Sequence, residues 1–325
     1  MIVPKFWAEA RTQHREKGKQ VTVRRFGWSQ SSLEEAQANA EARAADALRK
    51  LLAGAKLDRR EPKVAYNGAE GVPIREEIVA EHGDTVITRN SYGALCLNTP
   101  DVLFADVDFQ ERLPEGTGCS VFFASFLLAV GLGMAYLSLW LFIGILILGG
   151  LCSVVVSPLT FKLKSLFRGG SERIAKTNLS SFMAAHPDWK LRLYRTPAGL
   201  RIMAMHRLFT ATEPEVEGFF KALKSDPIYV TMCQRQQCFR ARVSPKPWRI
   251  GIGDHLRPRR GVWPVHKEAL PSRHAWIETY QAKAAKFAAC RFEAELGQGA
   301  THEKARAVQQ LHDQLCRADS GLPIA

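Results

Sequence analysis

The sequence predicts an α+β fold, in which a small sheet domain is interrupted by a two-helix transmembrane hairpin and flanked by N- and C-terminal helices. Three observations predict it: a stretch at 116–161 without any charged residue, strand-like runs on both sides of that stretch, and helical periodicity near both ends. The 325 residues leave room for more than one compact unit.

The predicted elements follow in order along the chain. Residues 1–60 hold a basic strand, "KQVTVRRFGWS", and an alanine-rich helix from Ser32 to Leu52. Residues 61–115 form the first part of the sheet domain, with strands in "DTVITRN" and "DVLFADVDF". Residues 162–260 complete it with a helix, a hairpin around "PAG", a second helix in "TEPEVEGFFKALKSD" and a strand in "PIYVTMC". Residues 261–325 are predicted to be amphipathic helices.

The uncharged stretch predicts two membrane spans. A single helix over 116–161 would be about 69 Å long, more than twice the hydrocarbon thickness, so two spans joined by a turn near Met134 to Ser138 fit better. Lysines and arginines follow the stretch closely, and acidic residues precede it. With two spans, both termini are predicted to be cytoplasmic in a multi-pass protein of the inner membrane.

The strand "LFADVDF" carries two carboxylates on one face. Asp106 and Asp108 alternate with apolar residues and therefore point the same way, where their charges repel unless a cation lies between them. Mg²⁺ or Mn²⁺ would satisfy them, because hard cations prefer carboxylate oxygen. A salt bridge to neighbouring basic strands satisfies them equally, and the sequence leaves both alternatives open.

The most basic stretch after the predicted sheet is "CQRQQCFRARVSPKPWRIG", where arginines alternate with aromatic residues. The guanidinium group of arginine can donate two hydrogen bonds to a phosphate, and an aromatic ring can stack on a nucleic-acid base. The predicted ligand-binding residues are Arg195, Arg201, Arg240, Arg242 and Trp248. The alternative is that these arginines neutralise Asp106 and Asp108, and both interpretations place them near the aspartates.

Two resemblances add to this interpretation. The strand "LFADVDF" followed by the hairpin "YRTPAGLRI" resembles archaeo-eukaryotic primase-polymerase folds, which implies metal ligands at Asp106 and Asp108 and a hairpin turn at Thr196, Pro197 and Gly199. Arg201 stands near the position where that family has a histidine. The segments "FWAEAR", "VTVRRFGWS" and "CFRARVSPKPWR" resemble a conserved, uncharacterised family of bacterial membrane proteins, which implies no particular activity.

Three functional hypotheses follow from the sequence. The first is an integral membrane protein whose cytoplasmic domain binds a phosphate-bearing ligand with a divalent metal. The second is a non-enzymatic, membrane-anchored scaffold, and the third is a nucleotidyltransferase. The formal net charge of +13 favours a nucleotide or another polyanion as partner, beside the lipid bilayer and a second copy of the chain.

Overall fold

The computed structural model describes residues 1, 3–16, 18–61, 72–109, 117–156, 159, 170–258 and 263–325. These residues form an α+β structure, as predicted, with three antiparallel sheets. The strands are β1 (Phe6–Glu16), β2 (Lys19–Ser29), β3 (Glu77–His82), β4 (Thr85–Arg89), β5 (Leu95–Thr99), β6 (Phe104–Asp108), β7 (Leu191–Arg195), β8 (Gly199–Ala204), β9 (Phe239–Arg242) and β10 (Arg291–Leu296). The helices are α1 (Leu33–Leu52), α2 (Thr117–Ala135), α3 (Leu139–Leu151), α4 (Gly170–Ala185), α5 (Pro214–Leu223), α6 (Pro227–Gln236), α7 (Leu270–Ala284) and α8 (Glu303–Cys316).

The N-terminal unit is a two-stranded ribbon covered by α1. Strands β1 and β2 pair along their full length, and the buried face of α1 consists of alanines spaced by three or four residues (Ala36, Ala40, Ala44 and Ala47). This small face lets the helix approach Gly27, where a Cβ atom would collide with its backbone. The predicted alanine-rich helix is confirmed, whereas β1 was not predicted.

The main core lies around two four-stranded sheets with the strand orders β10-β7-β8-β6 and β3-β4-β5-β9. Strands that precede the uncharged stretch pair with strands that follow it: β6 pairs with β8, and β5 pairs with β9. The predicted hairpin around "PAG" is confirmed as β7–β8. Trp189, Phe104 and Phe219 are among the largest buried side chains of this core.

Two predicted elements differ from the structure. "PIYVTMC" is not a strand but the start of α6, because Asp226 caps the helix through Ile228 N and Pro227 occupies its first turn. Residues 261–325 are not purely helical, since β10 lies between α7 and α8 and pairs with β7. The bulge between Phe292 and Ala294 interrupts the alternation of its side chains, which hides the strand in the sequence.

The predicted transmembrane hairpin is wrong. Within the described ranges, no helix combines the length and the apolar character that a membrane crossing requires. A turn after Ala135 divides the uncharged stretch, and α3 has 13 residues, about 20 Å, before a π-helical segment replaces it at Cys152–Val156. The interpretations that depended on spans are corrected with it: the integral membrane class and the multi-pass inner-membrane location. The lipid bilayer as a partner stays a prediction. The basic run that follows, 160–169, lies outside the described residues.

The two helices do pack against each other near the predicted turn. Gly149 lies against Ser125, and Gly133 lies against Phe142, so these two glycines allow close contact between α2 and α3. Large apolar side chains are exposed in the turn between the helices and on α3, with Leu137 at 93 % and Trp140 at 82 % exposure.

Candidate functional site: a basic and aromatic surface

The carboxylate of Asp106 is bound by Arg201. The two residues lie directly opposite each other on β6 and β8, and Arg201 donates from Nε to Oδ1 at 2.8 Å and from Nη2 to Oδ2 at 3.1 Å. The Arg201 side chain is buried at 2 % exposure, whereas that of Asp106 is 30 % exposed, so the pair lies at the edge of the core. Both oxygens of Asp106 already accept from a guanidinium, and this geometry fits the salt-bridge alternative better than a divalent ion. A Mg²⁺ or Mn²⁺ site at Asp106 and Asp108 stays a prediction.

Asp108 lies at the exposed end of β6 and makes no ion pair within 4 Å among the described residues. Burial, and then the charges of Asp106 and Asp226, raise its pKa, while Lys246 and Arg242 act in the opposite direction. Arg242 and Lys246 of the basic stretch therefore lie near Asp108, whereas Arg240 of the same stretch is paired with Glu76. Asp226 is held beside β6 because its backbone N–H donates to Asp106 O at 3.1 Å.

Two other predicted ligand-binding residues form ion pairs with carboxylates. Arg240 is buried and donates from Nη2 to both carboxylate oxygens of Glu76, at 2.8 and 2.7 Å. Arg195 pairs with Glu172 at 2.8 Å and lies over the ring of Phe109. Together with Arg201, these arginines hold the sheets and helices together, and Arg242 and Trp248 are the predicted residues that remain at a surface.

The segment after β9 is fixed in place by buried hydrogen bonds. Leu95 N donates to Ser244 Oγ at 2.7 Å, and Tyr280 Oη donates to Pro245 O at 2.7 Å. A short 3₁₀ turn over Pro247–Ile250 follows, and Gly251 ends it with φ of +72°, a conformation that glycine adopts without strain. This rigid turn sets the directions in which Lys246, Trp248 and Arg249 project.

The result is a surface that we call the basic–aromatic surface, formed by Tyr92, Arg242, Lys246, Trp248 and Arg249. Trp248 is 56 % exposed, and its ring centroid lies 5.2 Å from that of Tyr92 in an edge-on arrangement. Lys246 Nζ lies 5.4 Å from the Trp248 ring centroid. Two guanidinium nitrogens, Arg242 Nε and Arg249 Nη1, are buried without a hydrogen-bond partner among the described residues.

The electrostatics of this surface indicate an excess of positive charge. Burial lowers the pKa of Lys246, and the neighbouring charges of Arg242 and Arg249 lower it further. Burial and then Arg242 likewise lower the pKa of Arg249. The charge of Asp108 acts in the opposite direction and raises the pKa of both Lys246 and Arg249. Because Asp108 forms an ion pair with neither, it compensates only part of their positive charge. An anion bound here would relieve the repulsion among the three bases.

Sequence reasoning missed two features. Tyr92 joins the basic–aromatic surface from the turn between β4 and β5, and only an aromatic residue in the turn signal "NSYG" hinted at it. Within the described part of the chain, Cys290, His312 and Cys316 form a group with possible metal-ligand geometry. Cys290 is 22 residues away from His312, so the three residues show no recognisable zinc spacing.

No protein-family model, curated protein or solved structure matches this chain significantly. The resemblances to primase-polymerase folds and to a bacterial membrane protein family therefore stay predictions. The function has to be argued from the geometry of the chain itself.

Proposed function

We propose that the basic–aromatic surface binds a phosphate-bearing ligand that also carries an aromatic base, such as a nucleotide or a single-stranded nucleic acid. The observation that carries this proposal is the pair of buried guanidinium nitrogens, Arg242 Nε and Arg249 Nη1, for which the described residues provide no acceptor. A buried donor without a partner costs about 1–3 kcal/mol, more when it is charged, and an anionic ligand would supply the acceptor.

The basic–aromatic surface can bind phosphate because its three basic side chains are neighbours on one rigid segment. Arg242 ends β9, Lys246 precedes the 3₁₀ turn and Arg249 lies within it. The charge of Arg242 lowers the pKa of both Lys246 and Arg249, and the charge of Arg249 lowers the pKa of Lys246. Arginine offers paired donors to phosphate oxygens, and lysine adds a compact charge. The overall charge of +13 attracts a polyanion to the chain before these contacts form.

The base would stack on Trp248. This side chain is exposed although it belongs to an otherwise buried turn, in which Pro247 and Ile250 are both covered. Tyr92 supports the ring from its edge, so the indole is held in place before a ligand arrives. Stacking of a base on an aromatic side chain contributes about 1–3 kcal/mol and depends little on which base is present.

The test uses the full chain and three probes: inorganic phosphate, a mononucleotide and a fluorescently labelled single-stranded oligonucleotide. Binding is followed by anisotropy and by Trp fluorescence, with the Lys246→Gln/Arg249→Gln double variant, Trp248→Ala, and Arg49→Gln as the control. Arg49 is a suitable control because its side chain is 78 % exposed on α1 and pairs only with a neighbour on that helix.

We expect the double variant to lose affinity for all three probes by at least about tenfold, with a salt dependence reduced by about one to two counterions. Trp248→Ala should weaken nucleotide and oligonucleotide binding by about 5- to 150-fold and leave phosphate binding unchanged. If Arg49→Gln loses as much affinity as the double variant, binding is a general effect of charge, and the proposal fails. It also fails if the wild-type chain binds none of the probes.

A further inference from the structure

A buried group of two thiols and one imidazole lies beside the Asp106–Arg201 pair. Cys290, His312 and Cys316 are each 0 % exposed, and their donor atoms lie within 4.8 Å of one another. His312 Nε2 is 3.4 Å from Cys316 Sγ and 4.0 Å from Cys290 Sγ. A metal ion bound to two sulfurs at about 2.3 Å and a nitrogen at about 2.0–2.1 Å needs separations of this size.

The imidazole presents the correct nitrogen. His312 Nδ1 lies 2.9 Å from Asp313 Oδ1, and a carboxylate accepts only, so Nδ1 carries the proton and Nε2 has the free lone pair. This lone pair faces Cys316 Sγ and the donor Arg201 Nη1, each at 3.4 Å, and a metal ion bound to Nε2 would replace the contact with Arg201. Asp313 is itself fixed, because Arg192 donates to its other oxygen at 2.9 Å. A carboxylate that orients a histidine from behind is the usual second layer of a metal site.

The three donors come from two elements that this group connects. His312 and Cys316 are four residues apart on α8 and share one face, while Cys290 directly precedes β10. Ala289 N donates to Cys316 O at 2.9 Å, which brings the two backbones together independently of the side chains. The geometry of the donors is therefore set by the fold and does not need the ion.

We propose that Cys290, His312 and Cys316 bind a thiophilic metal ion, Zn²⁺ or Cu(I), and that the ion ties α8 to the start of β10. Two thiolates with one imidazole select soft or borderline ions over Mg²⁺, Ca²⁺ or Mn²⁺. Both thiol protons leave on binding, so the site carries two negative charges against the charge of the ion. Arg201 Nη1, 3.4 Å from His312 Nε2, also donates to Arg242 O at 2.8 Å and lies close enough to favour the thiolates.

The experiment loads the reduced, metal-free full chain with each ion separately. Zn²⁺ is titrated against a chromophoric chelator, and Co²⁺ replaces it for absorption spectroscopy, because thiolate ligands give an intense charge-transfer band in the near ultraviolet. Cu(I) is titrated without oxygen against a Cu(I)-specific chelator. Thermal unfolding is followed for each form, so that the wild-type chain alone gives a readout even where a variant does not fold.

We expect one equivalent of one of the two ions, a thiolate-to-cobalt band if it is Zn²⁺, and a rise in the melting temperature on loading. Cys316→Ala and His312→Ala should lose this binding at least about a hundredfold, whereas Cys233→Ala, which removes another buried thiol, should keep it. The proposal is overturned if the reduced wild-type chain binds neither ion, if Cys316→Ala binds as the wild type does, or if the chain as isolated contains a Cys290–Cys316 disulfide and neither metal.

Discussion

Asp106 and Arg201 are direct partners across β6 and β8, and Arg201 also reaches the neighbouring sheet, where its Nη1 donates to Arg242 O at 2.8 Å. One guanidinium thus joins the strand "LFADVDF" to the end of β9, where the basic–aromatic surface begins. The carboxylate that the sequence offered as a metal ligand is held in this junction. The aspartate pair therefore divides into a paired residue, Asp106, and a residue with no ion-pair partner among those the structure describes, Asp108.

Neutralising each aspartate should affect stability in opposite directions. Asp106→Asn leaves the buried Arg201 uncompensated and should lower the free energy of unfolding by about 3 kcal/mol. Asp108→Asn should be neutral or stabilising, because burial and neighbouring acids raise the pKa of Asp108 and its charge opposes folding. Urea unfolding at neutral pH measures both. Stabilisation by Asp106→Asn would support the divalent-metal prediction instead.

The pair between Glu76 and Arg240 should be essential for folding stability. Glu76 is 1 % exposed and Arg240 is 6 % exposed, so Glu76→Gln leaves a buried charge without its partner and should cost about 3–5 kcal/mol. The matched control is Glu81→Gln, which removes an exposed ion pair with Lys5 and should cost less than about 1 kcal/mol. Equal losses in the two variants, measured by chemical denaturation, would contradict this assignment.

The affinity for the single-stranded oligonucleotide should fall as the pH rises, because two protein groups change charge while the backbone phosphodiesters do not. Asp108 has a raised pKa, so near the acid end it loses its proton at a higher pH than an ordinary aspartate, and its new charge repels the anion. Lys246 has a lowered pKa, so near the alkaline end it loses its charge at a lower pH than an ordinary lysine. The affinity measured against pH should therefore decline in two steps. Asp108→Asn should abolish the acid step and leave the alkaline one, and an unchanged profile in this variant would contradict the assignment.

Gly199 should tolerate no larger residue. It lies opposite Asp108 at the start of β8, and a Cβ atom there would collide with the backbone carbonyl of Val107. Gly199→Ala should therefore separate β6 from β8 and cost about 1–3 kcal/mol. Gly218→Ala is the control, since α5 has open space at that position and the change should stabilise the helix by about 0.5–1 kcal/mol. Thermal unfolding of the two variants should shift in opposite directions.

The sequence predicted many of the local elements correctly, because each depends on neighbours along the chain. The alanine face of α1, the β7–β8 hairpin and the helices α4 and α5 follow from periodicity and turn residues. The prediction of two membrane spans from the uncharged stretch 116–161 was wrong. Its composition satisfies the rule for membrane helices, but composition does not determine where the helices end.

The candidate sites depended on contacts that the sequence does not encode locally. The basic stretch 233–251 was recognised by its composition, yet the sequence could not show that Arg240 is paired with Glu76, more than a hundred residues away. Nor could it show that Arg242 Nε and Arg249 Nη1 find no acceptor in the described part of the chain. Cys290, His312 and Cys316 were missed for the same reason.

By itself, the sequence determined the α+β class, the positive charge and the alternation that puts Asp106 and Asp108 on one side of a strand. The tertiary structure decided which charges are neutralised, because ion pairing depends on distances between strands from separate parts of the chain. It assigned Arg201 to Asp106 and Arg240 to Glu76, and it left the bases around Trp248 only partly compensated. A charged side chain that is buried beside its partner joins parts of the fold. A basic side chain that is held near other bases is instead available to bind an anionic ligand.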